Sequence, residues 1–166
     1  VSAYYSHLNS HHTDRWPALT RQREVLRNLD KAAGMLATWA FMERADFHQG
    51  AVGPLFALRR WNFADLRIKT LRMEDLVNDP ELTRSELQSR LGGDPSEIVA
   101  KFSFDKVTGG RPRGMVDDQH HYRSGQANQW LGEMDLSLAN AIYRTYQALI
   151  DDFYPDVKRQ LEARLD

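Results

Sequence analysis

Leu66-Arg-Ile-Lys-Thr-Leu71 is the one stretch of this chain in which apolar and polar residues alternate with the period of a strand. A strand's N–H and C=O groups need a neighbouring strand, so a chain offering one strand among many helices cannot close a sheet by itself. It fits the edge of a layered α/β protein whose central strands are supplied from elsewhere.

The rest of the pattern is helical or loop-like. From Trp16 to Phe47 apolar residues recur at helical spacing (Leu19, Val25, Leu26, Leu29, Ala33, Leu36, Trp39, Ala40), and Gly34 predicts a break between one or two helices. A further helical segment is expected over Val52 to Trp61. Asp79-Pro80 supplies an N-cap and first-turn proline, and Gly92-Gly93 a stop, predicting a helix from Pro80 to Leu91. Asp94-Pro95 repeats the start signal for a short helix reaching about Lys101. Thr108 to Gly132 has the composition of a loop. Leu138, Ile142, Tyr146, Leu149 and Phe153 space out a last amphipathic helix, starting near Asp135 and ending at Tyr154-Pro155.

With 22 basic against 23 acidic residues the net charge is −1, which argues against wholesale electrostatic capture of nucleic acid or an anionic membrane, so any anion site is local. The absence of cysteine removes disulfides and thiolate metal sites, and no apolar run reaches the ~18 residues of a membrane span. The expectation from these features is a soluble cytoplasmic protein with no nucleic-acid or membrane partner.

The chemistry concentrates in one region. Phe102-Ser-Phe-Asp-Lys-Val-Thr-Gly-Gly-Arg-Pro-Arg-Gly114, followed by His121-Tyr-Arg-Ser-Gly-Gln-Ala-Asn-Gln-Trp130, brings aromatics, three arginines and turn glycines together, as gripping a flat base and a phosphate requires. Arg111 and Arg113 flank Pro112 in a cationic loop that either closes over a ligand or stands in solvent. Phe102 and Phe104 alternate as core residues would in a short extended segment, or present a ring to a base. Ser2, at a helix start, suits either capping or a phosphate. Glu74 and Asp75 directly follow the expected strand; neighbours in an extended segment point opposite ways, which makes them structural rather than an acid/base pair. His7, His11 and His12, with Asp117, Asp118, His120 and His121, would suit zinc if they met, but no metal-binding signature is present.

Order and spacing of these segments resemble sulfotransferases that use 3'-phosphoadenosine-5'-phosphosulfate. In that family an aromatic after Ser or Thr precedes a Gly-rich loop, then Arg-Lys-Gly and a downstream Trp. Val1-Ser-Ala-Tyr resembles the end of the family's 3'-phosphate motif, and Leu71-Arg-Met-Glu-Asp-Leu76 its Arg-Tyr-Glu-Asp-Leu segment. The likeness runs over essentially all 166 residues. It implies a P-loop-like, three-layer α/β fold of which this helix-rich chain is the C-terminal part of a single domain, residues 1–166. The P-loop strand, the 5'-phosphosulfate loop and the catalytic base would lie upstream of Val1, which leaves no catalytic residue to name and the isolated segment without turnover.

The resemblance also implies roles. Ser2, Arg123, Ser124 and Gly125 would hold the 3'-phosphate. Ser103 and Phe104 would meet adenine, Phe104 by stacking, with Tyr122 closing the other edge of the base pocket and His121 and Met73 also among the cofactor-binding residues. Three departures stand out: Ser124 replaces Lys and forfeits a charge, Met73 replaces a Tyr that hydrogen-bonds adenine, and Asn128-Gln129 replaces Gly-Asp. The implied activity is sulfuryl transfer to a hydroxyl or amine of a small-molecule acceptor, by a monomer or homodimer. Trp39, Phe41, Phe47, Phe56 and Trp61 either line the acceptor pocket or fill the core. The alternative is a non-catalytic, helix-rich binding or regulatory module whose Arg loop docks acidic partners. A P-loop kinase is disfavoured, since kinases grip no 3'-phosphate.

Overall fold

Alternation at 66–71 does not produce a strand in the computed structural model, which describes residues 1–9, 14–120 and 122–164. Residues 66–68 form a turn and a bend instead, and 69–71 have no regular structure. The reason lies one residue upstream: the Asp65 carboxylate accepts from the Arg67 backbone N–H at 3.1 Å and from its Nε at 2.9 Å, and the Ile68 N–H donates to the Asp65 carbonyl at 3.0 Å. An Asx-type turn therefore takes the groups that a ladder would need. Leu66 is 99% exposed, so no neighbouring surface rewards the extended form.

Among the described residues the elements are helices: α1 (Ser2–Asn9), α2 (Pro17–Arg27), α3 (Lys31–Met42), α4 (Pro54–Leu58), α5 (Met73–Asn78), α6 (Pro80–Leu91), α7 (Ser96–Lys101), α8 (Phe104–Val107), α9 (Trp130–Glu133), α10 (Leu136–Thr145), α11 (Gln147–Phe153) and α12 (Asp156–Glu162). The only β-type pairing among these residues is an isolated bridge between His48 and Ala51. None of the helices is long and apolar enough to cross a membrane. The chain divides into two compact units, one of Val1–Asn62 with Gln129–Asp166, the other Phe63–Asn128.

In the first unit Tyr4, Leu26, Met35 and Leu138 form the buried centre, joined from α1, α2, α3 and α10. Burying a leucine such as Leu26, 1% exposed, stabilises by about 1.5–3 kcal/mol. Gly34 lies inside α3 rather than at a break, because a Cβ there would come within 2.6 Å of the Tyr4 ring; the missing side chain is where that ring seats. The break falls at Asp30, whose carboxylate accepts from the Ala33 N–H at 2.9 Å and caps α3. Arg23 is buried but satisfied, donating from Nε to the His7 carbonyl at 3.2 Å and from a terminal nitrogen to Asp14 at 2.5 Å. Its reach fixes α2 against the end of α1.

The segment from Gln129 onward returns to this core. Tyr5 donates to Glu133 at 3.2 Å and Lys31 pairs with the same carboxylate at 2.9 Å. Tyr146 donates to Glu43, which also pairs with Arg59, and Arg164 donates to the Met134 carbonyl at 2.7 Å. The expected single C-terminal helix is interrupted at Tyr146, whose φ of −115° and ψ of 21° leave the helical region while its ring stays buried. A further helix, α12, follows Pro155.

The second unit holds α5 to α8. Asp79 caps α6 through the Leu82 N–H at 2.9 Å, and Thr83 turns its hydroxyl back to the Leu76 carbonyl at 2.6 Å, tying α6 to α5. Gly92 and Gly93 end α6 with positive φ, as the sequence predicts. Glu74 and Asp75 lie in the first turn of α5, not in an extended segment, and Asp75 is paired with Arg72. That pairing and their place beside the positive end of the helix dipole give them a structural use.

Candidate functional site

Ser103, Phe104, Arg123, Ser124 and Gly125 are brought together within the second unit by a loop folded back on itself. Ser103 occupies the cap position of α8 and Phe104 its first residue, so Phe104 is helical rather than extended. The two phenylalanines separate: Phe102 is 65% exposed, whereas Phe104 is 8% exposed. The returning segment is stitched on by backbone bonds, Gly114 N–H to the Ser124 carbonyl at 2.9 Å and Asp117 N–H to the Arg123 carbonyl at 3.0 Å.

Gly125 has φ +65°, and a Cβ on it would lie 2.5 Å from the Phe104 ring. Conformation and space both demand glycine there. Phe104 is thus the floor beneath the Arg123-Ser124-Gly125 turn, and it presents little ring face to a base in this conformation. Tyr122, 46% exposed, is the open aromatic; its N–H donates to His120 Nδ1 at 3.0 Å and its ring lies 5.9 Å from the His120 ring.

Two of the loop's arginines face carboxylates. Arg123, with a side chain 6% exposed, donates from Nε to Asp118 at 2.5 Å, and Arg111, 10% exposed, lies 3.6 Å from Asp117. Arg111 also donates to the Arg123 carbonyl at 2.8 Å and to the Tyr122 carbonyl, with its guanidinium 5.3 Å from the Phe104 ring centroid. Arg113 donates to the Val77 carbonyl at the end of α5, 2.7 Å away. Ser124 is 1% exposed and its hydroxyl accepts from the Gln126 N–H at 3.2 Å, so this small residue is enclosed in its own turn. Hydrogen bonding from Ser103, aided by backbone N–H groups and by Lys106, holds the Asp105 carboxyl below its usual range.

Met73 opens α5 and is 72% exposed. Ser2 is exposed at the first residue of α1 and belongs to the first unit. Asn128 adopts φ +59°, a conformation that Asn tolerates better than most side chains. His121 lies outside the described residues, as do His11 and His12. Among the described residues no group of three His, Cys, Asp or Glu side chains stands close enough to hold a metal ion.

In the first unit, Trp39 lines an apolar cavity of about 280 Å³ together with Met42, Leu55, Leu58 and Ile142. Phe41 and Phe47 pack instead against the His7 ring, Phe56 lies 3.6 Å beneath the Arg60 guanidinium, and Trp61 is 52% exposed. The alternatives of pocket and core therefore divide residue by residue.

Sequence reasoning missed the counter-ions. Asp117 and Asp118, whose residue types also suit a metal, serve Arg111 and Arg123 instead; the signal is their place between those two arginines in one loop. It missed Arg111 as an internal tie because its partners are backbone carbonyls, which no residue pattern reveals. The arrangement holds a buried guanidinium, paired with Asp118, beside a glycine turn that is packed on an aromatic ring. No family model, curated protein or solved structure matches this chain.

Proposed function

We propose that the chain works in sulfuryl transfer from 3'-phosphoadenosine-5'-phosphosulfate to a hydroxyl or amine of a small-molecule acceptor, within a sulfotransferase-type α/β fold. The loop of the second unit grips the nucleotide end in this reading. Arg123 and the Ser124-Gly125 turn receive the 3'-phosphate, Phe104 supports the turn, and Tyr122 borders adenine. The observation that carries the reading is the packing of Gly125, two residues after Arg123, on the Phe104 ring, which joins residues that stand apart in the family motif.

Fit to the donor rests on the donor set: a guanidinium beside a glycine turn suits a dianion, and Asp118 holds that guanidinium in place while competing with the ligand for it. When bound, the donor supplies an activated sulfuryl group. The acceptor oxygen or nitrogen forms the new bond to sulfur as the bond from sulfur to the 5'-phosphate oxygen breaks, the acceptor proton passes to a base, and adenosine 3',5'-bisphosphate leaves. The residues named here bind and orient. Their contribution is positioning and charge, as in phosphoryl transfer.

Calorimetric titration with adenosine 3',5'-bisphosphate tests the reading. Saturable binding is expected, weakened about 10- to 100-fold in Arg123→Gln, the equivalent of losing a charged hydrogen bond of ~1.5–3 kcal/mol. A wild-type chain that shows no saturable binding overturns it.

A further inference from the structure

Arg111 is the residue through which the loop's separate pieces meet. Its guanidinium, largely withdrawn from solvent, donates to the carbonyls of two successive residues, Tyr122 and Arg123, while lying over Phe104 and pairing with Asp117. A peptide unit is planar and trans, so the C=O and the following N–H point in opposite directions. Drawing the Tyr122 and Arg123 carbonyls toward Arg111 turns the N–H groups of Arg123 and Ser124 to the other side of the chain. The shape of the Arg123-Ser124-Gly125 turn is set by that choice, and the Arg123 carbonyl is further held by the Asp117 N–H at 3.0 Å. Only a planar fork with several donors can satisfy two carbonyls and cover a ring at once; an ammonium on a flexible stem cannot.

We propose that Arg111 is a positioning residue that holds the Arg123-Ser124-Gly125 turn in the form that receives the 3'-phosphate. The proposal rests on the nucleotide reading above, and adds that selectivity for the 3'-phosphate is set by a residue that does not touch it. Asp117 balances the Arg111 charge, so the effect of Arg111 is one of geometry more than of field.

The test compares adenosine 3',5'-bisphosphate with adenosine 5'-monophosphate, titrated into the wild-type chain, Arg111→Gln and Arg111→Lys, each checked for fold by circular dichroism and thermal melting. In wild type the bisphosphate binds more tightly. Arg111→Gln is expected to lower the ratio of the two affinities at least 10-fold, by weakening the bisphosphate while leaving the monophosphate within about twofold, and Arg111→Lys is expected to recover only part of it. A merely structural loss would weaken both ligands together and leave the ratio unchanged. Folded variants with the wild-type ratio overturn the proposal and leave the nucleotide reading standing. Loss of fold in both variants also overturns it, because Arg111 would then hold up the whole unit rather than one turn. A wild-type chain with no preference for the bisphosphate removes the nucleotide reading and the proposal together.

Discussion

His7 stands in the last turn of α1, where the helix dipole favours a positive charge, yet its surroundings favour the neutral ring. Burial is the largest cause; a bond to the Leu19 carbonyl opposes it, and the Arg23 charge adds to it, and together they hold the imidazole below its usual 6.5. Phe41 and Phe47, about 6 Å away, supply the apolar wall. The sign follows by linkage: between the depressed folded value and 6.5 the unfolded chain binds the extra proton, so stability is complete above about pH 6.5 and is lost as pH falls through the folded value. Urea unfolding at pH 7.5 and 5.5 should show wild type losing more stability than His7→Gln, whose amide can still donate to Leu19 but does not titrate. Equal losses would show that the acid sensitivity arises elsewhere. At this scale the sequence was legible where one residue type answers to one constraint, as with the glycine of the Arg-Ser-Gly turn. It was silent where a side chain satisfies distant backbone, as Arg111 and Arg23 do.

Helix boundaries here are set by caps more than by apolar spacing. Asp79-Pro80 and Gly92 fix α6 at the bounds read from sequence, because each signal is local and is satisfied within three residues. Gly34 misled for the opposite reason: its absent side chain answers to Tyr4, thirty positions away, and the real stop and start lie at Asn28 and Asp30. The alternation at 66–71 misled because period alone cannot supply a partner, and the Asp65 side chain was close enough to take the backbone first. Asp30 carries the consequence. Its cap starts the helix that delivers Met35, Thr38 and Trp39, so Asp30→Ala is expected to cost about 1 kcal/mol in urea unfolding at pH 7, with most of it restored in Asp30→Ser. If Ala and Ser behave alike, the boundary owes nothing to the cap.

The first unit is built from both ends of the chain, and this governs how its stability is distributed. Tyr5 and Glu133 meet across 128 positions, and the core that Tyr4, Leu26 and Met35 begin is completed by Leu138. Such closure is costly in chain entropy, so α1 to α3 have to be reinforced by α10 before either set is fully stable. Leu138 is the buried residue of the returning segment in this core, with Met134 and Ile142 packed around it; removing its methyl groups leaves space beside Tyr4 and Met35 that the neighbouring helices can fill only in part. Leu138→Ala is expected to cost roughly 2–5 kcal/mol, and the loss should be shared. Hydrogen exchange of the variant should show amides of α3 and α10 losing protection together, by similar factors, since both depend on one core. If α10 alone loses protection while α3 keeps the wild-type rate, the N-terminal helices hold their own core and the returning segment is an addition to it.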